Sequence, residues 1–423
     1  MLHTILLSGG LRLLVEELPH THSVSLGCFV GVGAGHEQRA TSGVAHFIEH
    51  MLFKGSERRP TPKLISDAIE GVGGFLEAYT GFESTVYYAK VAHIHFDRAL
   101  DVLADMLLYP RFDPKDIEKE RRVIVEELRQ TEDTPSDLVH LLLDSAMWGD
   151  QPLGRDIAGD EEAVAAITRD GIVAHWRTHY NRANMVISVA GNIVADHAAA
   201  AIEAALADLP TGEVATYLPS QPPRRGPALV LHPDDSEQSN FCLAFEGLAQ
   251  SDPDRRALLV LDSVLGGSMS SRLFQEIREE RGLAYSVGSY SREHHDTGKW
   301  VVYGSVEPGK LHECIATVMA ELRRARRDGI TAEELQQVKE QVKGGILLSL
   351  EDTWSVASRN GSHQLRYGQV IPVEQVVAEV EAVTCEDVLR VAGRVLREET
   401  MHLALIGPHD DAEDLRELLT LSG

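Results

Sequence analysis

The chain has 423 residues, of which 43% are hydrophobic and 25% charged, and its formal net charge is -25 at pH 7. That length exceeds one ordinary core and points to two or more domains. The charge excludes a nucleic-acid or anionic-membrane surface, because phosphates would be repelled across most of the exterior, and it suits cationic peptides. Cys28, Cys242, Cys314 and Cys385 stand at no paired spacing, so neither a disulfide framework nor a cysteine metal site is signalled, and all four are expected reduced and buried. The first residues carry no basic leader with a cleavage site, and no apolar run reaches the roughly 18 residues of a membrane helix, so a cytoplasmic location is expected.

In chain order, residues 4–32 read as two strands joined by a turn around Pro19 and His20. Residues 43–56 then run Gly-Val-Ala-His-Phe-Ile-Glu-His-Met-Leu-Phe-Lys-Gly-Ser. His46 and His50 are four apart, so on a helix both imidazoles leave one face, as a tetrahedral zinc ion requires of two nitrogen ligands. Glu49 lies between them, where a carboxylate can take a proton from a water whose pKa the ion has lowered to about 7. The pattern is His-x-x-Glu-His, and about 0.13 chance matches to it are expected in a chain of this composition. It therefore needs a third ligand as independent support.

Thr61 and Pro62 open a helix that stops at Gly71, Phe75 to Val91 reads as a hairpin, and Phe96 to Leu108 is an amphipathic helix closed by Pro110. Asp113, Pro114 and Asp116 start a further helix running to about Gln130. Within it Glu120 and Glu127 are seven apart and return to within about 20° of one direction, while Glu126 is turned about 100° away. The helix Gly171 to His179 leads into the strand Met185 to Ala190, and residues 209–227, rich in Pro, Gly and small polar residues, read as a linker. The segment 168–191 aligns without a gap on 384–407, and Glu132-Asp133-Thr134 aligns on Glu351-Asp352-Thr353. Two copies of one domain are expected. The division is 1–208, a linker at 209–227, and 228–423. In the second copy Gly344 and Gly345 fall opposite Glu126 and Glu127, and the stretch around Gly266-Gly267-Ser268 falls where the histidine pair stands in the first. Only the first copy is expected to bind metal. The other histidines, with His20 and the pair His294-His295 among them, carry no ligand spacing and are expected at the surface.

The chain resembles the M16 metallopeptidases, the inverzincins, and among them the bacterial members similar to mitochondrial processing peptidase. The resemblance runs through residues 43–56, Val123 to Leu128, Pro152-Leu153-Gly154-Arg155, Asn184 to Asn192, and Arg272-Leu273-Phe274 to Tyr285. It implies an α/β (α+β) fold of two homologous domains, each a mixed, mostly antiparallel sheet with flanking helices, closing as a clamshell around a chamber. It implies His46, His50 and Glu127 as ligands of one Zn2+ per chain, Glu49 as the general base, and Glu120 orienting a ligand from behind. It further implies that Arg278 and Tyr285 contact substrate, with the Tyr285 hydroxyl donating to the oxyanion. The strand that receives substrate in the family usually reads Gly-Gly-x-x-Asn-Ala-x-Thr, and Gly73 to Thr80 matches it with Glu77 and Ala78 at the contact positions. An ionised Glu77 cannot donate a hydrogen bond as an Asn amide does.

The expected function is a zinc endopeptidase acting on extended peptides or unfolded, presequence-like segments. The alternative is a non-catalytic peptide-binding or structural partner subunit of the same family, which typically lacks ligands that this chain keeps. The expected partner is a peptide, with no nucleic acid and no membrane. A monomer, a homodimer and a pair with a related chain all remain open.

Overall fold

A computed structural model describes residues 1–422. The chain opens with the strands Leu2–Leu6 (β1), Arg12–Glu17 (β2) and Ser23–Val30 (β3). This is one strand more than expected, because β1 is a partly exposed edge whose apolar residues do not alternate cleanly. The helices Val44–Leu52 (α1) and Pro62–Glu70 (α2), the hairpin strands Phe75–Thr80 (β4) and Thr85–Ala92 (β5), and the helices Phe96–Leu108 (α3) and Pro114–Glu132 (α4) follow as anticipated. Next come the helices Pro135–Trp148 (α5), Glu161–Ala166 (α6) and Arg169–His179 (α7), strand Met185–Gly191 (β6) and helix Ala195–Ala205 (α8). Helix α5 was not anticipated, although Thr134, Pro135 and Asp137 carry an ordinary helix-start signature. The remainder comprises Ala228–Pro233 (β7), Ser239–Glu246 (β8), Arg255–Leu265 (α9), a π-helical segment Phe274–Glu280, Ala284–Glu293 (β9) and Gly298–Val306 (β10). It ends with Leu311–Asp328 (α10), Ala332–Ser349 (α11), Thr353–Tyr367 (α12), Val373–Ala382 (α13), Cys385–Val395 (α14), His402–Gly407 (β11) and Glu413–Arg416 (α15).

Two compact units result. One consists of Met1–Leu128, Asp156–Leu218 and Ile346–Ile371, the other of Arg129–Arg155, Pro219–Gly345 and Pro372–Gly423. Each unit therefore takes in a helix that the linear division at 209–227 assigned to the other half, α12 in the first and α5 in the second. The first unit holds a six-stranded sheet ordered β1-β2-β6-β3-β5-β4, and the second a five-stranded sheet ordered β7-β11-β8-β10-β9. All neighbours are antiparallel except β2 with β6 and β7 with β11, which is the mixed, mostly antiparallel sheet anticipated.

In the first unit one sheet face carries Leu13, Val15, Leu26, Cys28 and Val30 against Phe47, Ile48 and Met51 of α1 and Leu103 of α3. The opposite face carries Leu14, Phe29, Val86 and Val186, covered by Trp354 and Leu365 of α12. The Trp354 ring stacks on Tyr88 with centroids 3.7 Å apart, and the Thr353 hydroxyl meets those of Ser23 and Ser25 at 3.1 and 2.9 Å. Burial on both faces explains why β2 alternates so imperfectly. In the second unit α5 sends His140 against Cys242, Tyr290 and Tyr303, and Asp144 into a buried ion pair with Lys299 of β10. Cys28, Cys242 and Cys314 are buried and free, and Cys385 is partly buried. His294 and His402 are not at the surface: both are buried, the His294 ring edge-on to Trp148 of α5. No described helix is long and apolar enough to cross a membrane.

Candidate metal centre

Helix α1 lacks the usual side-chain cap. Its N-cap is Gly43 at φ 88°, where a Cβ would sit 2.3 Å from the Ala158 carbonyl oxygen, so glycine is required by both torsion and space. Capping is supplied from a distance by Glu37, whose buried carboxylate accepts from the Gly43 and Ala45 amides at 2.6 and 2.8 Å. A negative charge at that end also opposes the helix dipole favourably. Below the cap, Val44, Phe47, Ile48, Met51 and Leu52 are buried, which leaves His46, Glu49 and His50 on the half-buried side.

Helix α4 supplies the third donor. Ile117, Ile124 and Leu128 anchor it, and the Arg121 guanidinium lies 5.5 Å from the Phe47 ring centre of α1. The seven-residue spacing puts Glu120 and Glu127 at the histidine pair as expected. One donor atom each from His46, His50 and Glu127 lie within 4.8 Å of one another, and the two imidazole centres are 4.5 Å apart. His50 Nε2 is 3.6 Å from Glu127 Oε2, while His50 Nδ1 is bonded at 2.9 Å to Glu120 Oε1. Glu120 is 2% exposed, and its other oxygen is 2.7 Å from the Lys54 ammonium, in the turn that follows α1. Neither Glu37 nor Lys54 was singled out from sequence: Glu37 lies outside the helix it caps, and Lys54 shows its role only once α4 is in place.

The electrostatics follow from this packing. Burial, reinforced by His50, pulls His46 down to about 4, so its imidazole is neutral at pH 7. For His50 burial acts downward, but the Glu120 hydrogen bond and the charges of Glu127, Glu120 and Glu49 outweigh it and raise the pKa. Burial acts upward on Glu120, yet the bonds to His50 and Lys54 win and keep it ionised. Glu49 is raised by burial, and a hydrogen bond from the Thr80 hydroxyl opposes part of that rise.

This donor set fits zinc. Two imidazoles and one carboxylate converge, which is the three-ligand complement of a catalytic zinc site. His46 is neutral and its Nδ1 is buried with no hydrogen-bond partner among the described residues. Glu120 takes the Nδ1 hydrogen of His50 and so leaves Nε2 for an ion.

The other expected site residues are distributed as follows. Ala78 packs against the first core. On a strand with a period of two it shares its face with Thr80, which reaches Glu49, whereas Glu77 points to the opposite face and there accepts a hydrogen bond from Tyr88. Arg278 and Tyr285 come together within the second unit, the Arg278 guanidinium lying 4.9 Å from the Phe274 ring centre and 5.0 Å from that of Tyr285. Tyr285 is 76% exposed.

Residues 12–161 match the family model described as Insulinase (Peptidase family M16), and residues 166–342 match the one described as Peptidase M16 inactive domain. An uncharacterized zinc protease of Bacillus subtilis is 40% identical over 399 residues, covering 94% of this chain and 96% of the relative. One from Mycobacterium tuberculosis is 37% identical over 421 residues, covering 98% and 94%. Among solved structures, a peptidase M16 inactive domain from Pseudomonas fluorescens superposes with a TM-score of 0.89 at 21% identity over 96% of this chain and 98% of that one. A protease from Helicobacter pylori does so with a TM-score of 0.89 at 19% identity over 96% and 99%. The structural likeness establishes the fold, and the sequence likeness over nearly the whole length establishes the lineage: the chain belongs to peptidase family M16.

Proposed function

We propose that this protein is a zinc-dependent endopeptidase that hydrolyses extended peptides or unfolded segments. The observation that carries this reading is the convergence of His46, His50 and Glu127 donor atoms within 4.8 Å, with Glu49 on the same helix turn. A bound zinc ion would supply Lewis acidity, lowering the pKa of water and polarising a carbonyl. His46, His50 and Glu127 would hold it. Glu120, backed by Lys54, fixes the His50 tautomer from behind. Glu49 accepts the proton of the attacking water at its carboxylate and delivers it to the leaving amine, and burial of that carboxylate makes it a stronger base than an exposed one.

Strand β4 supports the substrate class. It is the last strand of its sheet, with β5 on one side only, so its outer edge offers backbone N–H and C=O groups to an extended chain. Exposed Phe75 and Tyr79 flank Glu77 on the strand face opposite Thr80. The roles of Arg278 and Tyr285 toward the peptide rest on the family resemblance. One chain carries both sets of residues, so no second chain is needed on chemical grounds. Zinc analysis combined with a peptide-library digest tests the reading. One equivalent of zinc and chelator-sensitive cleavage are expected, and a zinc-loaded protein that cleaves no member of the library overturns it.

A further inference from the structure

Glu49 has one hydrogen-bond partner among the described residues, and it comes from the strand to which we assign the peptide. The Thr80 hydroxyl donates to Glu49 Oε2. A glutamate on a helix has three rotatable bonds, and partial burial alone does not select one orientation. Thr80 itself is well fixed. It pairs with Thr85 across the hairpin, and the Thr85 hydroxyl donates to the Val32 carbonyl at 2.9 Å. The next residue, Gly81, receives the Ala34 amide at 3.0 Å and donates to the Ser84 carbonyl at 2.8 Å. The backbone of Gly33 lies so close that a Cβ there would be 2.1 Å from the Gly81 oxygen.

We propose that Thr80 is a positioning residue for the base: its hydroxyl holds Glu49 by Oε2, leaving Oε1 for proton transfer, so that one strand sets the place of both the peptide and the base. This rests on the peptidase reading. A displaced base costs rate without changing metal binding, since Thr80 touches none of the three donors, and without weakening peptide binding, since an edge strand binds through its backbone. The experiment compares the wild type, Thr80→Val and Thr80→Ser as full chains. It reads kcat and KM on a peptide taken from the library digest, zinc affinity by chelator competition, thermal melting, and crystal structures of the metal-free proteins. Val keeps the β-branched shape and removes the donor, and Ser restores the donor.

For Thr80→Val, kcat is expected to fall on the order of 10-fold or more, with KM and zinc affinity within about twofold of wild type and the Glu49 carboxylate displaced in the metal-free crystal. Thr80→Ser is expected to recover most of the rate. Wild-type kcat in Thr80→Val, an equal loss in Thr80→Ser, or a loss confined to zinc affinity or melting overturns the proposal. If the zinc-loaded wild type cleaves nothing, the peptidase reading fails instead, and an undisplaced Glu49 in metal-free Thr80→Val overturns the positioning role separately.

Discussion

The two units build one sheet twice and load it differently. In each, a parallel pair, β2 with β6 or β7 with β11, continues into three antiparallel strands, and a helix follows the first of these three in the chain, β3 or β8. In the first unit that helix is α1, with His46, Glu49 and His50 on its half-buried side. In the second it is α9, whose Asp262 is bonded inward to Ser289 and Trp300 at 2.6 and 2.7 Å and stabilises the core. Helix α11 likewise carries Gly344 and Gly345 where α4 carries Glu126 and Glu127. The architecture survives without the ligands, so the site is an addition to the fold and not a condition of it.

The sharpest way to test that asymmetry is to remove the chemistry while keeping the metal. Glu49→Gln is expected to lower kcat by about 10²- to 10⁴-fold, because the amide cannot accept the proton, while zinc stoichiometry is unchanged. Wild-type turnover by this variant would sink the mechanism. Glu127→Gln removes a charged ligand and is expected to weaken zinc binding by at least about 100-fold, whereas Glu126→Gln, on a different face of α4, leaves it within twofold. If the two results are exchanged, the ligand has been placed on the wrong face, and a second zinc equivalent retained by Glu127→Gln would give the second unit a metal site of its own.

A smaller effect is expected at the distant cap. Glu37→Gln keeps an acceptor for one of the two α1 amides and loses the charge, and should destabilise the first unit by about 1–2 kcal/mol in chemical denaturation. Unchanged stability would show that α1 is held by packing alone. The smallest expected effect lies in the second unit and involves no metal. Burial, aided by Lys299, pulls His140 down to about 4 from its ordinary value of 6.5. Below pH 6.5 the unfolded chain therefore binds a proton that the folded one refuses. The stability tied to neutral His140 is complete above pH 6.5 and falls as pH drops toward 4. His140→Leu should flatten the loss of stability between pH 7 and 5 by about 1 kcal/mol, half of the roughly 2 kcal/mol that a fully enclosed imidazole with these pKa values would give, because the partly exposed ring is screened by solvent. Parallel pH profiles for the variant and wild type would exclude His140 as the titrating group.

Much of this protein was determined by sequence alone, because the relevant signals are local. Four- and seven-residue spacings fix which side chains share a helix face, so His46 with His50 and Glu120 with Glu127 were legible as two pairs, and only the family resemblance joined the pairs into one site. Thr61 caps a helix that begins where its pattern indicated, and the internal alignment exposed the duplication. Only the tertiary structure decided what depends on partners far along the chain. An apolar helix stripe does not name the sheet it will cover, so the exchange of α5 and α12 between units could not be read from their residues. The cap from Glu37, the Lys54–Glu120 pair and the Thr80 hydrogen bond to Glu49 each join residues whose sequence separation carries no periodic signal. Glu77 shows the same limit on a single strand: a period of two says that it and Thr80 face opposite ways, but only the contacts with Tyr88 and Glu49 say which way each one points.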